Sequence, residues 1–196
     1  MRIIAGKYKG RTISTIEGDE TRPVMDRIKE TIFNILIHRY SIINIEVLDL
    51  FAGSGSFGLE SLSRGAKQIT FVEKSAEAIK YLQSNINKLK CNNQCLVKNM
   101  SVDSFLENNK KRFDLVFCDP PFKMTNPLDT IYRICKNNIL SEESILIFRS
   151  ESKSTFTFDN LKVEIEKVFG RNVVYFLKTN EYNDMSLPRF TYGDTL

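Results

Sequence analysis

Three stretches combine residue types and spacing that can do chemistry. The first runs from Val47 to Leu50 as an apolar segment and then breaks into Gly53, Gly55 and Gly58, the GxGxxG spacing, before a helical pattern begins. A strand entering a glycine turn and then a helix is how α/β units hold nucleoside-like ligands. Glycine takes positive φ and leaves room where a Cβ would block a ligand. The spacing alone is weak evidence, but Asp49 adds to it, near the carboxyl end of the predicted strand and four residues before Gly53. A dinucleotide site needs no acid there; a site for a cationic, amino-acid-like ligand can use one. The second stretch ends in Glu73, where an acid can accept two hydrogen bonds from a ribose diol. The third is Asp119-Pro120-Pro121-Phe122. Its prolines fix φ and stiffen a loop. The carboxylate and the loop carbonyls accept hydrogen bonds, and Phe122 offers a flat apolar face. An exocyclic amine on a nucleobase needs such acceptors and such a ring.

These stretches need a scaffold that brings strand ends together. From residue 45 the pattern alternates strand and helix, the mark of a parallel sheet with crossovers. Strands are predicted over 45–50, 68–73, 94–98, 113–118 and 144–149, with helices over 57–64, 76–90, 102–109 and 127–138. Gly65 ends the first of these helices and Ser75 caps the second. Two β-rich runs, 161–168 and 172–178, flank Gly170-Arg171 and read as a terminal antiparallel pair. The predicted fold is therefore α/β, a Rossmann-like, mostly parallel sheet. Ahead of it, 2–5 and 11–16 read as a hairpin around Gly6-Lys7-Tyr8-Lys9-Gly10, followed by a helix over 24–39. The chain divides into an appendage over 1–40, a core over 41–180 and a polar tail over 181–196. Open α/β sheets bind ligands at the carboxyl ends of their strands. Asp49, Glu73, Ser101-Val102-Asp103 and Asp119 all fall there.

Composition narrows the classes. The chain has 196 residues, 42% hydrophobic, with no apolar run near the ~20 residues that span a bilayer. Its opening residues lack a signal peptide's apolar core, so a cytoplasmic protein is expected. Cys91, Cys95, Cys118 and Cys135 form no CxxC pair and read as free thiols; with His38 as the only histidine, no metal site is expected. His38 itself reads as a surface residue at a helix end. Net charge is +4, and residues 1–16 hold Arg2, Lys7, Lys9 and Arg11 with no acid. That basic arm suits a polyanion, or is simply a solvated hairpin. Tyr8 stacks on RNA or packs in the hairpin, and Arg22 and Arg27 meet an anion or form a salt bridge at a helix start.

Asp49-Leu-Phe-Ala-Gly-Ser-Gly55, Glu73 and Asp119-Pro-Pro-Phe122 together resemble class I S-adenosylmethionine-dependent methyltransferases that modify exocyclic nitrogens. Arg2-Ile-Ile-Ala-Gly-Lys-Tyr-Lys-Gly-Arg11 and Thr21-Arg-Pro-x-x-Asp-Arg27, with Glu30 beyond, narrow the resemblance. They are similar to the bacterial 16S ribosomal RNA (guanine-N2)-methyltransferase family of the RsmD type, over about residues 1–178. The resemblance implies S-adenosylmethionine as cofactor, bound by Asp49, Phe51, Gly53, Ser54, Gly55 and Glu73, with adenine read at Ser101 or Asp103. It implies that Asp119 and the Pro120 carbonyl orient a guanine N2 amine while Phe122 stacks on the base. Arg2, Lys7, Lys9, Arg11, Arg22 and Arg27 would hold RNA phosphates. The implied partner is 16S rRNA, in the 30S subunit or an assembly intermediate, bound by a monomer. The tail after about residue 179 has no match in the family pattern. Three other readings compete. One is an adenine-N6 DNA methyltransferase, though no second domain for reading duplex DNA is evident. Another is an NAD-linked oxidoreductase, which lacks an evident hydride-transfer partner. The third is an RNA-binding protein with a dead pocket, against which an intact Asp119-Pro-Pro-Phe122 argues.

Overall fold

Apolar residues at alternate positions of the strand runs leave two faces to cover, and helices cover both. The computed structural model describes residues 1–15, 22–121, 123–151, 156, 158 and 161–179 and, of residues 22–24 and 151, the backbone alone. The predicted turn at 17–20, Thr21, the side chain of Arg22, Phe122 and the tail 181–196 lie outside the described residues. In chain order the elements are α1 (Arg22–Arg39), β1 (Glu46–Leu50), α2 (Ser56–Ser63), β2 (Gln68–Glu73), α3 (Ala76–Leu89), β3 (Cys95–Asn99), α4 (Val102–Asn108), β4 (Phe113–Cys118), α5 (Pro127–Lys136), β5 (Leu140–Glu151), β6 (Leu161–Phe169) and β7 (Asn172–Thr179).

The seven strands form one sheet in the order β3-β2-β1-β4-β5-β7-β6. β1 to β5 pair in parallel, and β7 runs antiparallel between β5 and β6. The strand order reverses between β1 and β4, which makes their carboxyl ends the switch point where such sheets bind ligands. Register puts Asp49 beside Phe71 and Phe117, and Leu50 beside Cys118, so residue 51 and Asp119 leave neighbouring strand ends. The strands match the sequence reading closely except for β5, predicted over 144–149. Its early start comes from a bulge: pairing jumps from Phe113–Leu140 to Leu115–Ile145. Ser144 Oγ closes the bulge by donating to the Phe113 carbonyl at 2.6 Å.

Alternation along the strands assigns each face its core. Val47, Leu115, Phe117, Val174 and Phe176 pack with α1, α2 and α3. Leu48, Leu50, Val116, Val173, Tyr175 and Leu177 pack with α4, α5, Phe156 and Phe158. Ile3, Tyr8 and Ile13 belong to the first of these cores, together with Ile28, Ile32, Phe33 and Leu36 of α1. The amino-terminal segment is thus built into the sheet's α1 side. Its predicted two-strand ladder is reduced to one bridge, Arg2–Thr12. The reason is competition for donors: the Ile4 and Ala5 amides donate to the Glu60 carboxylate, at 2.7 and 3.1 Å, instead of to a partner strand. His38 lies exposed in the last turn of α1, where a helix favours positive charge. Among the described residues no helix is long and apolar enough to cross a membrane.

Candidate active site

The glycine turn is built by three glycines with three different tasks. Gly53 has φ +54°, and a Cβ there would meet nothing within 4 Å. It is the open side of the turn. Gly55 has φ +84°, and a Cβ would lie 2.4 Å from Leu82 Cδ1. Gly58 sits inside α2, where a Cβ would lie 2.3 Å from Phe71 Cε1, so its hydrogen lets the helix rest on the sheet. Phe51 also takes a positive φ, 57°, a conformation that costs a non-glycine residue about 1–2 kcal/mol. Sites that hold ligands commonly store strain of this kind.

Two carboxylates fix the turn. Gly55, in the left-handed conformation, precedes α2 without supplying a side-chain cap. Asp49 does the capping from β1: its Oδ2 accepts the Gly58 N–H at 2.9 Å. It satisfies one of the free amides of a helix start. Asp49 is 2% exposed, and burial drives its pKa well above the ordinary carboxylate value. The Gly58 N–H opposes that rise, while the charges of Asp119 and Glu73 add to it. Glu73 braces the other side. Its Oε2 accepts from Gly53 N at 2.9 Å and its Oε1 from Ser75 N at 2.8 Å. Each oxygen keeps a lone pair for a further donor. An open glycine edge flanked by a half-buried carboxylate fits the amino-acid and ribose parts of S-adenosylmethionine.

Asp119 follows β4 next to this turn. Arg149 of β5 donates through Nε to Asp119 Oδ1 at 2.5 Å and through Nη1 to Asn172 Oδ1 at 2.8 Å. The guanidinium therefore ties Asp119 to β5 and β7 at once. Pro120 is buried, and the Pro121 carbonyl accepts from Met124 N at 2.8 Å, which closes the loop. Ser101 caps α4, its Oγ accepting from Ser104 N at 3.1 Å. Asp103, exposed in the first turn of α4, lies 3.7 Å from Arg133, which also pairs with Glu107 and Asp129. Both candidates for an adenine contact already have partners of their own.

The basic arm is hydrogen-bonded to α1 and α2. Arg2, Lys7, Lys9, Arg11 and Arg27 are exposed, whereas Tyr8 is buried in the core, so packing is its role here. Beneath them lies a buried polar network that the sequence does not announce. Glu60, fully buried in α2, accepts the two arm amides and pairs with Arg64 at 2.7 Å and Lys29 at 3.8 Å. Lys29, 1% exposed, donates to the Arg2 carbonyl at 2.7 Å. Burial lowers the Lys29 pKa, and Glu60 and Asp26 oppose the drop. Ser63 takes the Tyr8 amide at 2.9 Å on its hydroxyl and the Lys7 amide at 2.7 Å on its carbonyl. Gly6 packs so closely on α2 that a Cβ would fall 1.8 Å from the Ser63 carbonyl oxygen. Asn85, fully buried in α3, bonds Ser14 and Ser54 together. The one local signal for these residues was a charge in an otherwise apolar row, Glu60 in α2 and Lys29 between Ile28 and Ile32.

All four cysteines are free, with Cys91 Sγ 3.7 Å from Cys95 Sγ across a short turn. Among the described residues no group of histidine, cysteine, aspartate and glutamate could hold a metal ion.

Comparison with known proteins agrees with this geometry. A family profile described as Conserved hypothetical protein 95 matches residues 1–178. The chain is 40% identical over 174 residues to the Haemophilus influenzae protein named ribosomal RNA small subunit methyltransferase D, covering 87% of this chain and 89% of that protein. The Escherichia coli protein of the same name is 35% identical over 183 residues, 92% of this chain and 90% of that one. The solved structure of Escherichia coli yhhF superposes with a TM-score of 0.83 at 33% identity, covering 93% of this chain and 99% of that chain.

Proposed function

Since the chain belongs to the Conserved hypothetical protein 95 family, that of the ribosomal RNA small subunit methyltransferase D proteins, we propose that it methylates 16S ribosomal RNA, using S-adenosylmethionine, at the exocyclic N2 amine of a guanine. The observation that carries this reading is the meeting, at one switch point, of the open Gly53 edge and the clamped Asp119. The first suits a nucleoside cofactor, and the second can accept a hydrogen bond from an amine. The work is done by a monomer in the cytoplasm, on the small subunit or an assembly intermediate.

When bound, the cofactor supplies a methyl group already attached to a sulfonium, so no metal and no covalent enzyme intermediate is needed. The residues of the chain bind, align and exclude water. Gly53, Ser54 and Gly55 hold the methionine part, with Phe51 beside them. Asp49 orders that turn and takes a hydrogen bond from the ligand's ammonium, directly or through water. Glu73 takes the ribose hydroxyls, and Ser101 or Asp103 reads the adenine edge. Asp119 accepts one N–H of the guanine amine and the Pro120 carbonyl the other, which points the nitrogen lone pair along the line of attack. Phe122 stacks on the base. Alignment of this kind is worth several kcal/mol. Asp119 need not be a strong base, because the amine becomes acidic only as its lone pair is used; a fixed carboxylate stabilises the positive charge developing there. Arg2, Lys7, Lys9, Arg11, Arg22 and Arg27 grip RNA phosphates, giving affinity that falls with salt.

The test is transfer of label from methyl-tritiated S-adenosylmethionine to small-subunit particles, 16S rRNA and duplex DNA, followed by nucleoside analysis. The expected product is N2-methylguanosine from the rRNA. Label in DNA adenine with none in rRNA would reject the assignment, as would binding of NADH without binding of S-adenosylhomocysteine. Asp119→Ala should bind S-adenosylhomocysteine like the parent and transfer no methyl group; unchanged turnover removes Asp119 from its role.

A further inference from the structure

Asn85 stands between the glycine turn and the basic arm and belongs to neither. It lies on α3, is 0% exposed, and its amide is spent on both sides. Oδ1 accepts the Ser14 N–H at 2.8 Å, and Nδ2 donates to the Ser14 carbonyl at 2.9 Å. The side chain thus pairs with Ser14 as a neighbouring strand would. The same Nδ2 donates to the Ser54 carbonyl at 3.0 Å, in the middle of the glycine turn between Gly53 and Gly55. The partners fix the amide's orientation, since two carbonyls face the nitrogen and one N–H faces the oxygen. One turn further along α3, Lys88 donates to the Thr12 carbonyl at 2.7 Å, a bond to the arm alone. Ser14 and Ser54 are far apart in sequence, and a single planar group holds the backbone of both.

We infer that Asn85 is a positioning residue that makes the cofactor turn and the basic arm one mechanical unit. A planar amide bonded along both edges does not let one neighbour shift without the other. A ligand that settles the Ser54 peptide therefore settles Ser14, and RNA gripping the arm reaches the turn by the same bonds; linkage makes the two effects equal. The exit of the arm becomes firm when the cofactor site is filled, so the RNA surface is most completely formed in the protein that carries the methyl donor. The inference rests on the glycine turn being the cofactor site and, for its consequence, on the arm being the RNA surface.

Amide hydrogen exchange of the full chain tests it, with and without saturating S-adenosylhomocysteine. The parent protein should slow exchange in the peptide containing Ser14 by about fivefold or more on adding the ligand, the lower end of ordinary coupling between sites. Asn85→Ala should still bind the ligand by calorimetry but lose that difference. If Asn85→Ala fails to fold, Asn85→Ser, whose hydroxyl is too short to span Ser14 and Ser54, should give the same result. Lys88→Ala should speed exchange of the arm in both states and keep the ligand-dependent difference, which a general loosening of the fold would not do. The inference is overturned if the Asn85 variants keep the parent's difference, or if the parent, with ligand bound, shows none. Failure of the parent to bind S-adenosylhomocysteine overturns the cofactor site and this inference with it. Neutralising Lys7, Lys9 and Arg11 without changing rRNA binding removes the RNA role of the arm alone and leaves the exchange result to report on Asn85.

Discussion

Alanine at Gly53 and at Gly58, introduced separately, distinguishes the two tasks that one glycine motif performs. At Gly58 the new Cβ would lie 2.3 Å from Phe71 Cε1 and 2.7 Å from Ile69 Cγ2, inside a fully buried contact. Carbon atoms ordinarily approach to about 3.5–4.0 Å, so α2 must lift from the sheet or the ring must turn. Overpacking of this kind costs about 1–3 kcal/mol, and alanine's better helix propensity offsets about 1 kcal/mol of it. Lifting α2 also stretches the bond from Gly58 N to Asp49. A net loss of about 1–2 kcal/mol should lower Tm by about 2–8 °C for a chain of this size. At Gly53 there is no clash within 4 Å, but φ is +54°, and holding alanine in that region costs about 1–2 kcal/mol. The two variants should therefore melt at similar temperatures and differ in ligand binding. The methyl group at Gly53 fills the open edge of the turn, so affinity for S-adenosylhomocysteine should fall at least about tenfold, equivalent to about 1.4 kcal/mol. Gly58→Ala should bind it within a factor of about three, since its strain lies behind the turn. Calorimetric titration of both variants, beside their thermal melts, decides the matter. Normal binding by Gly53→Ala, or lost binding by a folded Gly58→Ala, would refute the division of labour.

Three further outcomes follow from the geometry. Arg149→Ala should lower kcat by about ten- to a hundredfold with little change in S-adenosylhomocysteine affinity, because Asp119 loses its tether; Arg149→Lys should recover little, since an ammonium cannot reproduce a fork to Asp119 and Asn172. Steady-state kinetics of the pair checks this, and a full-rate Arg149→Ala defeats it. Asp49 has a raised pKa in the fold, so the folded protein holds its proton more tightly than the unfolded chain does. Its stabilising contribution is complete below the ordinary carboxylate value and is lost as pH rises from there through the raised value. Denaturant unfolding between about pH 4 and 8 should show a flatter profile for Asp49→Asn than for the parent, and identical slopes would contradict the assignment. Replacing Lys7, Lys9 and Arg11 by alanine should weaken rRNA binding and flatten the plot of log affinity against log salt by about 0.7–0.9 for each phosphate that the arm no longer neutralises; an unchanged slope places the phosphates elsewhere.

The fold was legible because alternation and glycine punctuation act locally. β2 and β4 fall where the sequence puts them, and Ser75 caps α3 as its type and place suggest. The placing of Asp49, Glu73 and Asp119 was legible for the same reason, since a parallel sheet brings its strands' carboxyl ends to one side. What the sequence concealed is carried by contacts between distant residues. Nothing near Asp49 says that its first partner is the Gly58 amide. Arg149 lies within a strand and looks like an outward-facing charge until the sheet order places it beside Asp119. Glu60, Lys29 and Asn85 sit on helices, where polar residues usually face water, yet each is buried and bonded to the first fifteen residues. The early start of β5 rests on Ser144 reaching the Phe113 carbonyl, a pairing with no local signature.

The contact between Gly6 and Ser63 gives α2 a further meaning. This helix has the glycine turn at its beginning and the basic arm seated on its last turn. Eight residues at 1.5 Å each make it a spacer of about 12 Å. If the arm holds RNA as proposed, α2 would keep that RNA at a set distance from the glycine turn. Adding or removing one residue in α2 would change that distance by about 1.5 Å and swing the arm by about 100° around the helix axis. On the proposed reading, the length of α2 would set how far the arm's ligand lies from the switch point.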